Sequence, residues 1–223
     1  MNRSFGLSEF LFIVAAVRWT LLLSLVAFLG GGVLGLLIAI LRTTSSPFVR
    51  LLTGGYIQLF QGTPVLMQLF LFYYGLSVLF DMQVDAWPAV ALAFTLYSGA
   101  FLGEIWRGSI QAIPRTQWEA SACLSLGYFQ QLRFVILPQA MRISIPPTVG
   151  FLVQLIKGTS IAAIIGFVEL TRAGQLMVNV TFKPMIIYPV VAALYFAVCW
   201  PLSLLARNLE RRIDADLGIK RHL

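Results

Sequence analysis

The sequence predicts an all-α integral membrane protein with five transmembrane helices, a periplasmic N-terminus and a cytoplasmic C-terminus. Three observations support this prediction. Hydrophobic residues make up 59% of the 223 residues and charged residues only 11%, whereas about 25% of a soluble domain is charged. Charges divide the chain into apolar pieces long enough to cross a bilayer. Basic residues accumulate in alternate connecting segments, as they do in cytoplasmic loops.

Composition and motifs argue against several other classes of function. The net charge of +7 does not indicate a nucleic-acid partner, because the 16 Lys and Arg residues are scattered along the chain. Cys123 and Cys199 are too few for a disulfide framework, and His222 is the only histidine. The sequence has no cluster with metal-ligand spacing, no Ser/His/Asp set and no ATP-binding motif. We therefore expect a membrane subunit that is not an enzyme and binds no cofactor itself.

Five apolar segments bounded by charges account for the spans, at residues 19–41, 51–80, 86–103, 143–168 and 184–206. Each approaches or exceeds the ~20 residues that cross a bilayer, and the first lacks the cleavage pattern of a signal peptide. The second is too long for one straight helix, and Gly62, Thr63 and Pro64 interrupt it. The glycines at 30–32 and 35 predict close packing of the first span against a neighbouring helix.

The distribution of basic residues sets the predicted orientation. With the N-terminus outside, the inner segments hold eleven basic residues and the outer segments hold four. Such an excess marks the cytoplasmic side, so the segment between spans three and four is predicted to be cytoplasmic. The inner residues are Arg42, Arg50, Arg107, Arg115, Arg133, Arg142, Arg207, Arg211, Arg212, Lys220 and Arg221, and the outer residues are Arg3, Arg18, Arg172 and Lys183.

Residues 116–140 are too polar to cross a bilayer and predict a hairpin of two short helices. Thr116 is expected to cap the first helix, with Glu119 completing a capping box. Gly127 suits the left-handed conformation that ends many helices. The second helix is predicted from about Tyr128 to Leu137, where Pro138 discourages its continuation. A hairpin that merely lies on the membrane surface is the alternative.

Lys157 is the one charge inside the fourth apolar segment. If that span begins near Pro146, the helical rise places Lys157 about 16 Å into the bilayer. A lysine there costs on the order of 2.5–3.5 kcal/mol and usually faces a polar cavity or a partner, although snorkelling or a structural ion pair is an alternative. Thr159 and Ser160 add hydroxyl groups beside the ammonium. This combination suits a carboxylate, such as that of an amino acid.

Other polar residues in the spans complete a hypothetical cavity at mid-membrane. Gln61 and Thr63 flank the break in the second segment, which we interpret as a pathway element or hinge, with simple kinking as the alternative. Tyr97 and Ser98 lie in the third segment, where Tyr97 either walls a substrate or packs against other helices. With Lys157, Thr159 and Ser160, these residues are our candidate substrate pathway. Glu104 is expected to pair with Arg107, three residues further on.

Residues 119–121 (Glu-Ala-Ser), Gly127 and residues 136–138 (Ile-Leu-Pro) together resemble the EAA loop of ABC importer permeases. The flanking sequence resembles the branch of that family that takes up polar amino acids, and the resemblance covers nearly the whole chain. Further matching stretches are residues 61–64 with Gln68, 103–108, 110–114, 117–120, 136–140, 145–147 and 169–174.

The resemblance implies a type I importer fold, in which residues 1–223 form one transmembrane domain and residues of about 107–142 form the coupling loop. It implies that Glu119, Ala120, Ser121 and Gly127 transmit nucleotide-driven movement from an ATPase. The chain departs from the family pattern at Gln61, Tyr97 and Gly158. Gly158 replaces an aspartate, and the loss of that carboxylate argues against a basic amino acid as cargo. No residue of this chain is expected to be catalytic.

The resemblance also implies the partners. The chain would be the permease subunit of an ABC transporter that imports a polar amino acid or derivative across the bacterial inner membrane. A second permease, identical or related, would complete the pathway. Two cytoplasmic ATPase subunits would bind the ATP and Mg²⁺, and a periplasmic binding protein would deliver the cargo.

Two rival functions remain open from the residues alone. The first is an ion-coupled secondary carrier or channel that uses Lys157 as a coupling charge. Against it, we expect no Asp or Glu in the interior of any span, and a proton or sodium relay normally needs such ligands. The second is a scaffold whose cytoplasmic hairpin recruits a partner without any transport.

Overall fold

The computed structural model describes residues 5–42, 46–81 and 83–216, and every regular element in these ranges is helical. Arg3, Lys220, Arg221 and His222 lie outside the described residues. The helices are α1 (Leu7–Arg42), α2 (Pro47–Gly62), α3 (Val65–Phe70), α4 (Leu76–Phe80), α5 (Ala86–Gln111), α6 (Arg115–Cys123), α7 (Tyr128–Gln130), α8 (Leu137–Gly158), α9 (Leu170–Thr181) and α10 (Pro184–Asp216). Two π-helical turns, Leu71–Gly75 and Gln131–Ile136, and a 3-10 segment, Thr159–Ile165, extend their neighbours.

Four stretches within the described ranges are long and apolar enough to cross a membrane, namely Leu7–Arg42, Ala86–Gln111, Tyr128–Ile165 and Pro184–Ile213. A fifth span results if the bent pair Pro47–Gly62 and Val65–Leu79 counts as one. The pair meets at 103°, which confirms the predicted break between Gly62 and Val65. The expected set of five spans therefore agrees with the structure when the bent pair is one of them.

Close contact between α1 and α5 confirms the role predicted for the glycines of the first span. A Cβ atom added at Gly31 would lie 2.3 Å from the Cβ of Ser98, and one added at Gly35 would lie 2.8 Å from the backbone nitrogen of Gly103. Neither side chain can be added without moving a helix. Glycine at these positions therefore sets the distance between the two helices.

The main core lies where α1, α3, α5 and α8 meet. Leu23, Leu69, Phe94, Leu102 and Leu155 are each at most 1% exposed there. A second cluster, which includes Ile13, Leu170 and Ile187, joins the start of α1 to α9 and α10. The outer face of α10 is left largely uncovered, because only 17% of an apolar 18-residue stretch of this helix is buried.

Two helices are longer than the apolar segments that predicted them. Helix α1 begins at Leu7 rather than at residue 19, so Arg18 lies inside the helix with its guanidinium 5.3 Å from the centre of the Trp19 ring. Helix α5 runs on to Gln111, so Glu104 lies within this helix rather than at its inner end. Arg42 and Arg107 both pair with this carboxylate, so the helix continues past a neutralised charge.

The sequence predicted that prolines limit the fourth span, but the helix continues through them. Pro138 stands in the first turn of α8, and Pro146 lies inside it. The π-helical turn compensates for Pro138, because the Leu137 N–H bonds to the carbonyl of Leu132, five residues back. The side-chain amide of Gln139 also donates to the Val135 carbonyl at 2.7 Å.

The consequence is a single helical rod from Tyr128 to Gly158, with Lys157 near its end. A hydrogen bond of 3.0 Å from Trp106 Nε1 to Thr148 Oγ1 braces this rod against α5, just beyond the paired prolines Pro146 and Pro147. In a protein surrounded by lipid, contacts with neighbouring helices allow proline inside a span. The prediction that the span begins near Pro146 was therefore wrong.

Candidate functional site

The hairpin predicted between spans three and four is present, but its caps differ from the prediction. Helix α6 begins at Arg115 with Pro114 before it, and no side chain caps it. Thr116 therefore lies inside the helix, and the capping box with Glu119 was wrong. Proline at the cap position already fixes the backbone angle that the helix entry needs.

The turn of the hairpin also corrects the role predicted for Gly127. Its φ is −66°, so it is not left-handed, and it precedes α7. The residue with positive φ is Ser125, at 58°. The Gly127 N–H donates instead to Gln130 Oε1 at 3.0 Å. Glycine is therefore not required at position 127 for backbone conformation.

Aromatic and apolar contacts fix the hairpin to the spans. The rings of Trp118 and Tyr128 stack with centroids 6.1 Å apart, and Trp118 packs against a buried cluster that includes Ile113 and Ile136. Ser121 is 2% exposed and donates to the Trp118 carbonyl at 2.8 Å. Ser121 therefore faces the inside of the hairpin, where it is not available for direct contact with an ATPase.

The outer side of the hairpin is exposed and partly apolar. Glu119, Ala120 and Gly127 are exposed, as the coupling role requires. Leu124 and Phe129 are also 74% and 81% exposed. Sequence reasoning missed these two residues, although large apolar side chains in a turn predicted to be cytoplasmic were a readable signal. Exposed apolar side chains next to an exposed carboxylate form a surface suited to a protein partner.

One buried amide holds the break in the second span. Gln68 is 6% exposed, and its Nε2 lies 2.8 Å from the Phe60 carbonyl, 3.1 Å from the Thr63 carbonyl and 2.9 Å from Thr63 Oγ1. The carbonyl groups that the break frees thus find a donor. Gln61 is exposed and donates from Nε2 to the Ala100 carbonyl at 3.2 Å, which ties the break to α5.

The two candidates on α5 are packing residues in this chain. Tyr97 belongs to an aromatic cluster with Phe94, Phe101 and Phe151, at ring distances of 4.6–6.5 Å. Ser98 is completely buried against Gly31, and its hydroxyl has no hydrogen-bond partner among the described residues. Of the two interpretations left open for Tyr97, the structure favours packing.

Lys157 lines a groove of about 330 Å³ between α8 and α10. Among the described residues it is the one charged member of the lining, which otherwise consists of Ala192, Tyr195, Phe196, Cys199, Trp200 and Ser203. Ser160 donates to the Lys157 carbonyl at 2.7 Å, and Thr159 is fully buried and donates to the Ile156 carbonyl at 2.7 Å. The hydroxyls thus bond to the helix backbone.

A buried carboxyl group next to this groove, that of Glu169, was missed. Glu169 is completely buried and caps α9, accepting the N–H groups of Thr171 at 2.9 Å and Arg172 at 2.8 Å and the hydroxyl of Tyr195 at 2.7 Å. Burial raises the pKa of the Glu169 carboxyl, and the hydrogen bonds that it accepts oppose this rise. An acid directly after an apolar segment and before Leu-Thr-Arg was the available signal.

The seven candidate pathway residues thus form separate groups within the described ranges. Gln61 and Thr63 belong to the break, Tyr97 and Ser98 to the α5 core, and Lys157 with Ser160 and Thr159 to the end of α8. Tyr195 links the last group to Glu169, because it lines the groove of Lys157 and bonds the carboxyl of Glu169. The groove beside Lys157 is therefore our candidate functional site, and the hairpin is a second one.

A helical bundle with a broken second span and a two-helix hairpin is the architecture of a membrane-embedded transport component. The solved "Crystal structure of an amino acid ABC transporter with histidines" matches with a TM-score of 0.86 and 31% identity, over 94% of this chain and all of that one. The chain belongs to the family described as "Binding-protein-dependent transport system inner membrane component", whose model matches residues 31–215. It is therefore a permease subunit of the inner membrane.

Two curated relatives cover most of the chain. The L-cystine transport system permease protein TcyB of Bacillus subtilis is 36% identical over 199 residues, 89% of this chain and 85% of its own length. The glutamine transport system permease protein GlnP of Escherichia coli K12 is 33% identical over 202 residues, 90% of this chain and 92% of its own length. Family membership favours the importer interpretation over an ion-coupled carrier or a scaffold.

Proposed function

We propose that this chain imports a polar, zwitterionic amino acid or derivative as one of two permeases in an ABC transporter. The supporting observation is the match to amino-acid permeases over nearly the full length of both chains. Those relatives are named for cystine and glutamine, which are both polar. We propose that residues 1–223 are one transmembrane domain with a periplasmic N-terminus, and that a periplasmic binding protein delivers the cargo.

Reconstituted vesicles test this function directly. The chain is co-expressed with its ATPase and second permease, and uptake of labelled glutamine and cystine is measured with binding protein outside and ATP inside. Uptake that requires both ATP and binding protein is expected. Uptake that proceeds without ATP, driven by an ion gradient, would show that the chain is a secondary carrier instead.

We propose that the hairpin docks on the ATPase through its exposed side chains. Phe129 and Leu124 would enter a groove of the partner, with Glu119, Ala120 and Gly127 around them. Ser121 would act inside the hairpin by holding its shape. An exposed aromatic that becomes buried at an interface often dominates the binding energy.

A matched pair of variants tests the docking. Phe129→Ala is expected to lower uptake at least tenfold while ATPase activity of the complex becomes independent of cargo, since one buried aromatic contributes about 2 kcal/mol or more. Phe12→Ala serves as control, because Phe12 is also exposed and aromatic but lies on α1, outside the hairpin and outside the groove of Lys157. Equal uptake by the two variants would count against the docking surface.

We propose that the groove of Lys157 is this permease's half of the substrate pathway, completed by the second permease against the uncovered face of α10. The ammonium would attract the cargo's carboxylate, while Tyr195 and Trp200 would shape the walls. In a low-dielectric setting a charge pair of this kind is stronger than in water. The break at Thr63 and Gln61 would act as a hinge of the pathway.

Lys157→Ala is expected to raise the half-saturation concentration for uptake by at least tenfold while the complex still assembles. Lys183→Ala is the control, since Lys183 is exposed just before α10 and does not line the groove. Orientation is tested separately, by labelling Cys123, which is exposed in the hairpin. Labelling of Cys123 by a membrane-impermeant reagent in intact spheroplasts would contradict a cytoplasmic hairpin.

A further inference from the structure

A second pocket, of about 270 Å³, lies where the hairpin meets the ends of three helices. Three arginines line it, Arg42 at the end of α1, Arg50 in the first turn of α2 and Arg107 near the end of α5. We call it the arginine pocket. Trp118, Tyr128, Ile110 and Gln111 complete its lining. None of the transport roles proposed above uses this pocket.

The charges of the arginine pocket are not balanced within the described chain. Glu104 pairs with Arg107 and with Arg42, the latter at 3.5 Å. Arg107 also donates to Gln111 Oε1. Arg50 has no side-chain partner among the described residues and is exposed. Three guanidinium groups against one carboxylate leave an excess of two positive charges, with one guanidinium free to bind an anion.

We infer that the arginine pocket binds the phosphate headgroup of an anionic phospholipid and thereby braces the hairpin. Guanidinium groups bind phosphate oxygens in a bidentate manner that few other side chains match. Basic pockets between transmembrane helices on the cytoplasmic side are typical sites for such headgroups. Trp118 and Tyr128 are amphipathic aromatics of the kind that lie at headgroup level.

The position of the pocket favours a lipid over an acidic side chain of the ATPase. Its walls belong to the inner side of the hairpin and to the spans, whereas Leu124 and Phe129, the most exposed apolar side chains of the hairpin, are not among its lining residues. A bound phosphate would connect α1, α2 and α5 with the stacked pair of Trp118 and Tyr128. The inference rests on the cytoplasmic orientation proposed above, but its test does not require transport.

The test measures lipids retained by the purified complex of this chain with its ATPase. The complex is equilibrated in mixed micelles with equal phosphatidylglycerol and phosphatidylcholine, washed, and its lipids are counted by mass spectrometry. The wild type is expected to retain an excess of phosphatidylglycerol, and Arg50→Gln to lower that excess about fivefold, the effect of one arginine near the surface. Arg207→Gln, an exposed arginine outside the pocket, should retain the wild-type excess.

Several results would overturn the inference. One is equal enrichment in Arg50→Gln and wild type, or none in either. Displacement of the lipid by inorganic phosphate, but not by sodium chloride at the same ionic strength, would mean that the pocket binds a free anion. Enrichment only after the ATPase is removed would mean that a protein carboxylate occupies it. In the wild type, enrichment should also weaken at high salt, and enrichment that is insensitive to salt contradicts a charge-based site whether or not the variant folds.

Discussion

The contact between α1 and α5 yields the sharpest prediction about stability. Gly31→Ala adds one methyl group, which would lie 2.3 Å from Ser98 Cβ and 2.9 Å from the Gly99 nitrogen. An ordinary contact of this kind is at least 3.4 Å, so the two helices must separate by about 1 Å, and overpacking of this kind typically costs 1–3 kcal/mol. The atoms in contact belong to Cβ and backbone, which cannot rotate away.

Gly32→Ala is the matched control for this prediction. Its added methyl group would meet only the far edge of the Trp106 ring, at 3.7 Å, an ordinary contact distance. Both variants gain about 1 kcal/mol in helix propensity when glycine becomes alanine. That gain cancels when the two are compared, and the difference reports the helix contact alone.

The assay is chemical unfolding of the two variants in mixed micelles, followed by tryptophan fluorescence. Gly31→Ala is expected to unfold with about 1–3 kcal/mol less free energy than Gly32→Ala. Equal unfolding free energies would refute the reasoning, because they would mean that α1 and α5 are not held at the distance described.

Three further predictions concern other parts of the chain. Gln68→Leu should lower the free energy of unfolding by about 1–3 kcal/mol, because it leaves the Phe60 and Thr63 carbonyls without their donor. Gln61→Leu removes a single, partly buried hydrogen bond to the Ala100 carbonyl and should cost less; equal costs would contradict the bracing role. Gly127→Ala should not lower the free energy of unfolding, since φ is −66° and the new methyl group would meet only Gln130 Oε1 at 3.8 Å; a clear loss of stability would restore a need for glycine. Burial raises the pKa of Glu169 above 4.5, so the contribution of its protonated form to stability is complete below pH 4.5 and is lost as the pH rises through the folded-state pKa. The unfolding free energy of the wild type relative to Glu169→Gln should therefore fall as the pH increases. A difference that does not change with pH would contradict this prediction.

The sequence was sufficient to predict the features that depend on local properties of the chain. Spans, the break at residues 62–64 and the glycine contact of α1 all depend on apolar length or on the absence of a side chain, and these are local properties. The pair of Glu104 and Arg107 was also predictable, since three residues separate them on one helix. The hairpin as a whole was predicted for the same reason, because its polarity is local.

Features that depend on distant contacts were not predictable. Pro138 is a helix breaker by itself, but the π-helical turn and the amide of Gln139 compensate for it. Ser121 was grouped with the residues that transmit movement from an ATPase, yet it is buried and bonds to the Trp118 carbonyl inside the hairpin. The burial of Glu169 and the convergence of Arg42, Arg50 and Arg107 involve residues far apart in the chain. A single sequence does not show directly which distant residues come into contact.

The unbroken path from Tyr128 to Gly158 has a mechanical consequence. These 31 residues extend about 45 Å at the rise of an α-helix, so a displacement of a few ångströms at Tyr128 tilts the rod by only a few degrees. Under the coupling role proposed above, this rod would act as a lever whose far end carries Lys157 beside α10. The two adjacent prolines, where backbone hydrogen bonds are missing, are the natural place for such a lever to flex, so part of any stroke would be absorbed there before it reached the ammonium group.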